Sequence, residues 1–223
     1  MRARTNHSAA VRALHYPQAF MIGVIDYRAG NAPSVGYALT RLGIEYELVD
    51  SPERIATLDR VILPGVGAAR ATLDSLAASG FVEPLARRVR DDGVPFLGIC
   101  IGLQVLFEHS EESDTECLGW IPGEVRSFPD TARVPQIGWN AVHVQREHPL
   151  TRTFPDGGYC YFVNSYYAVP TNDADVLGRT EYGLDFCSIV AHDNIVATQF
   201  HAEKSGPLGL GMLAAFAAWE PAC

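Results

Sequence analysis

The sequence has no long apolar run, no basic patch and no C-x-x-C pair. Each absence closes off a class of function. A membrane-spanning helix needs about 18 or more consecutive apolar residues, and no segment supplies them. Without clustered Lys and Arg there is no electrostatic footprint for a phosphate backbone, which disfavours nucleic-acid binding. The formal net charge of -9 reads as an ordinary acidic surface. Five cysteines, at positions 100, 117, 160, 187 and 223, are odd in number and lack ligand spacing. They argue against a disulfide framework and a cysteine-type zinc site, and fit reduced thiols in a cytoplasmic setting. No metal site and no cofactor is called for. Internal repeats, low-complexity tracts and a dividing linker are also missing. Residues 1–20 are polar and lack the apolar core of a secretory signal. They are expected to be an extension, or to precede a true start at Met21, with one domain over 21–223.

What is present is an ordinary core-forming chain of 223 residues, 48% hydrophobic and 19% charged, long enough to fold without disulfide or metal support. Short apolar runs at 21–26, 46–49, 60–63 and 95–99 predict strands. Helical spacing or composition predicts helices over 31–42, 68–78, 82–92 and 102–109. Such alternation indicates a mostly parallel sheet flanked by helices, an α/β fold. The second half differs. Runs at 125–127, 141–144, 159–169, 185–192 and 195–200 predict further strands, and 209–219 a last helix.

Gly98-Ile99-Cys100-Ile101-Gly102-Leu103-Gln104 joins the strand at 95–99 to the helix that follows. A lone cysteine is most often a packing residue. The G-x-C-x-G frame between strand and helix points elsewhere, to a nucleophile held on a sharp turn at the carboxyl edge of the sheet. Glycines suit the close backbone approach such a turn requires, and a helix N-terminus beside the sulfur favours thiolate. A nucleophilic cysteine needs a base. Of seven histidines, His201 directly follows an apolar strand and has Glu203 two residues on. In extended chain these side chains share a face, so the carboxylate can orient the imidazole. Pro64-Gly65-Val66-Gly67, after the strand at 60–63, is a glycine-rich loop able to present backbone N–H groups to an oxyanion. The expected donors are Val66, Gly67 and Ile101.

The order P-G-x-G, G-x-C-x-G-x-Q and H-x-E resembles the class I (triad) glutamine amidotransferases. Six stretches narrow the resemblance to the histidine-pathway branch, the glutaminase subunits of imidazole glycerol phosphate synthase. They are GVIDYRAGN (23–31), LPGVGA (63–68), LGICIGLQVLFE (97–108), VPQIGWN (134–140), YFVNSY (161–166) and TQFHAEKS (198–205). The resemblance implies the amidotransferase fold, with a mostly parallel central sheet and extra antiparallel strands in the C-terminal half. It implies that Cys100 attacks glutamine, that His201 and Glu203 complete the triad, and that Gly65, Gln104, Asn164, Ser165 and Tyr166 bind substrate. Trp139, Asn140, Tyr161 and Lys204 would face a partner. That partner is a (β/α)8-barrel cyclase in a heterodimer, which uses the ammonia to make imidazole glycerol phosphate and aminoimidazole carboxamide ribotide. The sequence departs from the branch at Gln136 and Asn164, where histidines are usual, at Ala202, where proline is usual, and at Arg28, where glycine is common. Asn164 bears on how the glutamine carboxylate is held, and Gln136 on the partner face.

A related reading is a paralogous glutaminase that serves another synthase, such as one amidinating surface sugars. A third reading, a non-catalytic regulatory module, has no use for an intact Cys100, His201 and Glu203.

Overall fold

The computed structural model describes residues 20–28 and 31–221. The expected extension, apart from Phe20, lies outside the described residues, as do Ala29, Gly30 and Cys223. The front half runs β1 (Ile22–Ile25), α1 (Ala32–Leu42), β2 (Tyr46–Val49), β3 (Arg60–Gly65), α2 (Ala69–Ala78), α3 (Val82–Ala86) and β4 (Phe96–Cys100). Strands β1, β3 and β4 are buried along their whole length. They pair in parallel, which requires cover on both faces. On one face, Val35 and Leu39 of α1 join a core cluster. Leu76 of α2 and Leu85 of α3 join the cluster on the other.

The back half contains the one-turn helix α4 (Ile101–Gln104) and the short strands β5 (His109–Ser110) and β6 (Thr115–Glu116). Longer strands follow: β7 (Gly123–Ser127), β8 (Gln136–Val144), β9 (Gly158–Asn164), β10 (Tyr166–Pro170), β11 (Val176–Glu181), β12 (Asp185–His192) and β13 (Ile195–Thr198). Helix α5 (Gly206–Ala217) closes the chain, and its Met212, Leu213 and Phe216 pack in the α1 cluster. Strand β13 returns to lie parallel beside β4, so the parallel region has the order β2-β1-β3-β4-β13. From β13 outward the pairing turns antiparallel through β12, β10 and β7. Strands β8 and β9 form a separate antiparallel ribbon, tied to the rest where β11 bridges β8 and β12. The expected α/β layout with a strand-rich second half is therefore present.

Four local expectations need correction. The helix expected over 102–109 stops at Gln104. Beyond it, the carbonyls of Val105, Leu106, Phe107 and Glu108 accept from the amides of residues 117–121, so tertiary pairing replaces the helical ladder. Residues 101–107 are all buried, so this stretch had no exposed face whose period could discriminate helix from other buried chain. The expected strand 159–169 is two strands that break at Ser165, because β9 pairs with β8 and β10 with β7. The helix over 82–92 ends at Ala86 and passes into a π-helical turn, Arg87–Asp91. Strand β11 was not expected. It contains Gly178, where the pairing with β12 shifts register and an added Cβ would meet Ile189 at 2.9 Å.

The termini of the fold are tied by a buried arginine. Arg60 opens β3 and is buried. Its Nε donates to the Phe216 carbonyl at 3.3 Å and its Nη2 to the Trp219 carbonyl at 2.8 Å, with the guanidinium 3.8 Å from the Phe20 ring centroid. The bond to Trp219 gives a partner to a carbonyl beyond the end of α5, while the Phe216 carbonyl also accepts from the Trp219 amide at 3.1 Å. Arg60→Leu is expected to leave the Trp219 carbonyl without this donor and to destabilise the fold by about 2 kcal/mol. That corresponds to a fall in melting temperature of roughly 4–8 °C, measurable by calorimetry.

Candidate active site

Strand β4 ends on Cys100, whose backbone has φ 58° and ψ -108°. This conformation is sterically closed to most L-residues, and holding a cysteine in it stores about 1–3 kcal/mol. Two glycines make it feasible. A Cβ on Gly98 would lie 2.4 Å from the Gly102 carbonyl oxygen, and a Cβ on Gly102 would lie 2.0 Å from the Leu63 carbonyl oxygen. The backbone of β3, β4 and α4 can thus close together only without side chains at these positions. Cys100 stands at the carboxyl end of β4, in register with Gly65 at the end of β3. The expected electrostatic help from a helix N-terminus is reduced, because α4 is a single turn and its dipole is short.

The counter-charge comes from His201. Strand β13 ends at Thr198, and the chain then places His201 in the wall of the cavity that also holds Cys100, whose Sγ donates to the Val163 carbonyl at 3.8 Å. His201 Nδ1 lies 2.8 Å from Glu203 Oε1. Both side chains are buried, at 3% and 1% exposure. The pairing arises differently from the expectation. Ala202–Lys204 is a 3-10 turn rather than extended chain, and the turn brings Glu203 back towards the ring. Burial alone would push the imidazole's pKa down. The nearby Cys100 and the hydrogen bond to Glu203, with the negative charge of both, outweigh it and raise the pKa to about 9.

A carboxylate partner alone does not single out His201. His109, His143 and His192 lie 2.8–3.0 Å from Asp114, Asp156 and Asp175. Burial, with Arg146 nearby, pushes His148 down to about 4. His201 shares a cavity with a thiol, that of Cys100. The thiols of Cys117, Cys160 and Cys187 are pushed up to about 11, 12 and 12, chiefly by burial, which keeps them protonated.

The cavity has a volume of about 230 Å³ and is lined by Cys100, His201, Val66, Gly67, Ile101, Gln104, Glu112, Pro135, Val163, Asn164, Ser165 and Tyr166. All three expected oxyanion donors are in this wall. Gly67 has φ 95°, a conformation that favours glycine. Of the expected substrate residues, Gln104, Asn164, Ser165 and Tyr166 line the cavity, whereas Gly65 does not. Gly65 lies beneath it, where a Cβ would meet Ile101 Cγ2 at 2.2 Å and Tyr27 Oη at 2.6 Å. Gln104 Nε2 is already committed to the Tyr166 carbonyl and to Gln199 Oε1. Asn164 Nδ2 also donates to the Tyr166 carbonyl, and its buried Oδ1 has no partner.

Sequence reasoning missed three residues. Glu112 puts a carboxyl group in the cavity wall. It sits after an unforeseen strand, and its Oε2 accepts from the Ala69 amide at 2.7 Å. Gln199 reaches Cys100 Sγ at 3.9 Å. Asn31 donates to Glu203 across 172 positions of sequence. None of these long-range contacts has a local sequence signal.

The ribbon β8–β9 carries the expected partner-facing residues. Trp139 and Tyr161 are cross-strand neighbours with rings 5.9 Å apart. Ile137, Trp139 and Tyr159 are 63%, 51% and 61% exposed, so core packing is ruled out for them. Asn140 is half-buried and accepts from Gln136 Nε2 at 3.0 Å, while Lys204 is exposed on the 3-10 turn. Gln136 itself is corrected: it is fully buried and does not belong to the partner face. It pairs in register with Asn164, so the two unusual amides face each other across the ribbon. Arg28 has φ 67°, a geometry that explains why glycine suits its position. Behind the ribbon, the His201 amide donates to the Tyr161 carbonyl at 2.9 Å. Ser205 Oγ donates to the His201 carbonyl at 2.7 Å and accepts from the Tyr161 amide at 2.9 Å. The ribbon backbone is thereby clamped to the histidine.

Comparison with known proteins agrees with this geometry. The family described as glutamine amidotransferase class-I matches residues 23–218. The chain is 47% identical over 192 residues to the imidazole glycerol phosphate synthase subunit HisH of Dehalococcoides mccartyi, covering 85% of this chain and 93% of that one. The HisH subunit of Chloroflexus aurantiacus is 46% identical over 207 residues, covering 91% and 97%. A glutamine amidotransferase of known crystal structure superposes with a TM-score of 0.70 at 21% identity, covering 87% of this chain and 98% of that one, which establishes shared fold.

The raised pKa of His201 carries a pH prediction. The folded protein holds this proton more tightly than the unfolded chain, whose histidine titrates near about 6.5. The resulting stabilisation is complete below that pH and fades as pH rises through about 9. Alkylation of Cys100 at pH 7–8 should depend on the imidazolium partner, so His201→Ala is expected to slow iodoacetamide labelling at neutral pH. Labelling followed by peptide mass spectrometry checks this, and an unchanged rate contradicts it.

Proposed function

The chain belongs to the class-I glutamine amidotransferase family and is an enzyme of that class, and from that premise we propose that Cys100, His201 and Glu203 hydrolyse glutamine to glutamate and ammonia. The observation that carries the assignment is a strained thiol sharing a small cavity with an imidazole that is itself held by a buried carboxylate. The Cys100 thiolate attacks the side-chain amide carbon. The negative charge that develops on the oxygen is met by the amides of Ile101 and of the Val66–Gly67 loop. His201 gives its proton to the departing ammonia and leaves a γ-glutamyl thioester. It then takes a proton from water, which cleaves the thioester to glutamate. Glu203 fixes the tautomer and balances the imidazolium charge.

The cavity also supports a binding mode. The α-ammonium of glutamine is matched by the Glu112 carboxylate and the unpartnered Oδ1 of Asn164. Ser165 and Tyr166 form the wall where donors for the α-carboxylate are needed, with Gln104 supporting Tyr166 from behind.

By analogy with relatives named as HisH subunits of imidazole glycerol phosphate synthase, we propose that the ammonia passes to a (β/α)8-barrel cyclase in a heterodimer serving histidine biosynthesis. The exposed apolar side chains of β8–β9 offer the docking face, with Trp139, Asn140, Tyr161 and Lys204 towards the cyclase. No helix among the described residues is long and apolar enough to cross a membrane, and a biosynthetic role suits the cytoplasm.

Two outcomes are expected. With the cyclase and its ligand present, Cys100→Ala should release no glutamate above background, read by a coupled glutamate assay; wild-type activity in this variant sinks the triad reading. Lys204 is the only lysine in the sequence, so amine acetylation reports a single side chain besides the N-terminus. Cyclase binding should protect Lys204 from acetylation, and equal labelling with and without cyclase contradicts the proposed face.

A further inference from the structure

Asn31 occupies the N-cap of α1. Asparagine is favoured there because its side-chain oxygen accepts from an open amide of the first helical turn. In this protein it makes no such bond. The amides of Ser34 and Val35 turn instead to the Asn31 main-chain carbonyl, at 3.1 and 3.3 Å. The side chain points the other way, and its Nδ2 donates to Glu203 Oε1 at 2.6 Å. That oxygen is the same one that lies 2.8 Å from His201 Nδ1. The other oxygen of Glu203 is buried without any partner. A buried carboxylate is held in its charged form by the donors it has. Glu203 has two, both on one oxygen, and Asn31 is one of them.

We propose that Asn31 is a positioning residue for the triad, a fourth member that fixes the Glu203 carboxylate so that Oε1 faces His201. The assignment rests on the reading of Cys100, His201 and Glu203 as the triad. The chemistry of the residue fits the task. Only the amide nitrogen can approach a carboxylate oxygen at this distance, because the carbonyl oxygen would repel it. The donor is neutral, so it supports the charge on Glu203 without competing with the imidazolium for it, as a lysine or arginine would. The link also joins two strand ends. Asn31 follows β1 and His201 follows β13, so the edge of the sheet supplies both sides of the carboxylate.

Asn31→Asp separates this role from helix capping. Aspartate caps a helix as well as asparagine does, but as a carboxylate it cannot donate, and it sets one negative charge against another. In the complex with cyclase and its ligand, Asn31→Asp is expected to lower kcat for glutamate release roughly 10- to 100-fold. KM for glutamine should stay within about threefold, because the residue does not line the cavity. A purely structural cap predicts wild-type kcat instead, and that result overturns the assignment. A double-variant comparison holds even if the single variant is destabilised. If Asn31 acts through Glu203, adding Asn31→Asp to Glu203→Gln lowers kcat little further; the full additional loss in that background overturns the proposal. Cys100→Ala in the same assay keeps the two claims apart. If it is inactive while Asn31→Asp matches wild type, only the Asn31 assignment falls. If it is active, the triad reading falls first.

Discussion

The backbone of Cys100 is the constraint on which the site depends. Its φ of 58° with ψ -108° is unfavourable for a side-chain-bearing residue. It persists because β3, β4 and α4 close around it with Gly98 and Gly102 at the contacts. The turn projects the thiol past the end of the sheet, while its neighbours Ile99 and Ile101 stay buried. A cysteine in relaxed extended chain would continue the strand and share the fate of Cys160 and Cys187, whose burial keeps them protonated. The strained turn therefore sets the Cys100 side chain in the cavity wall, which Cys160 and Cys187 do not line.

Around that turn the parallel strands converge. The carboxyl ends of β3 and β4 supply the glycine loop and Cys100, and His201 lies just beyond β13. This is where open α/β sheets place ligands, at the edge that successive crossovers leave open. The antiparallel strands add what the parallel half lacks. Strands β9 and β10 bring Asn164, Ser165 and Tyr166 to the opposite wall. Ribbon β8–β9 sets an exposed apolar surface one peptide away from the histidine, through the mutual bonds of His201, Tyr161 and Ser205. The exposed ribbon face and His201 thus share backbone hydrogen bonds.

Much of this was legible in the sequence where the signal is local. The apolar runs of β1, β3 and β4 announce a sheet covered on both faces, and G-x-C-x-G announces a turn that only glycines permit. His201 and Glu203 are close in sequence, so their pairing was legible even though a 3-10 turn, rather than extended chain, achieves it. What stayed hidden depends on register or on distant chain. Helix α4 ends early because residues 117–121 claim the carbonyls that follow it. Gln136 reads as surface in isolation and proves buried opposite Asn164 once the ribbon pairs. Glu112, Gln199 and Asn31 reach the site only through tertiary contacts, and no spacing rule links Asn31 to Glu203.

The central claim is that the strained Cys100 thiol attacks the substrate. The most direct measurement is acid quenching of the enzyme during glutamine turnover with cyclase and ligand present, followed by peptide mass spectrometry. The account predicts a γ-glutamyl adduct on the peptide that contains Cys100, absent when glutamine is omitted and removed by hydroxylamine. Steady turnover with no adduct there, or with the adduct on Cys117, Cys160 or Cys187, would contradict it.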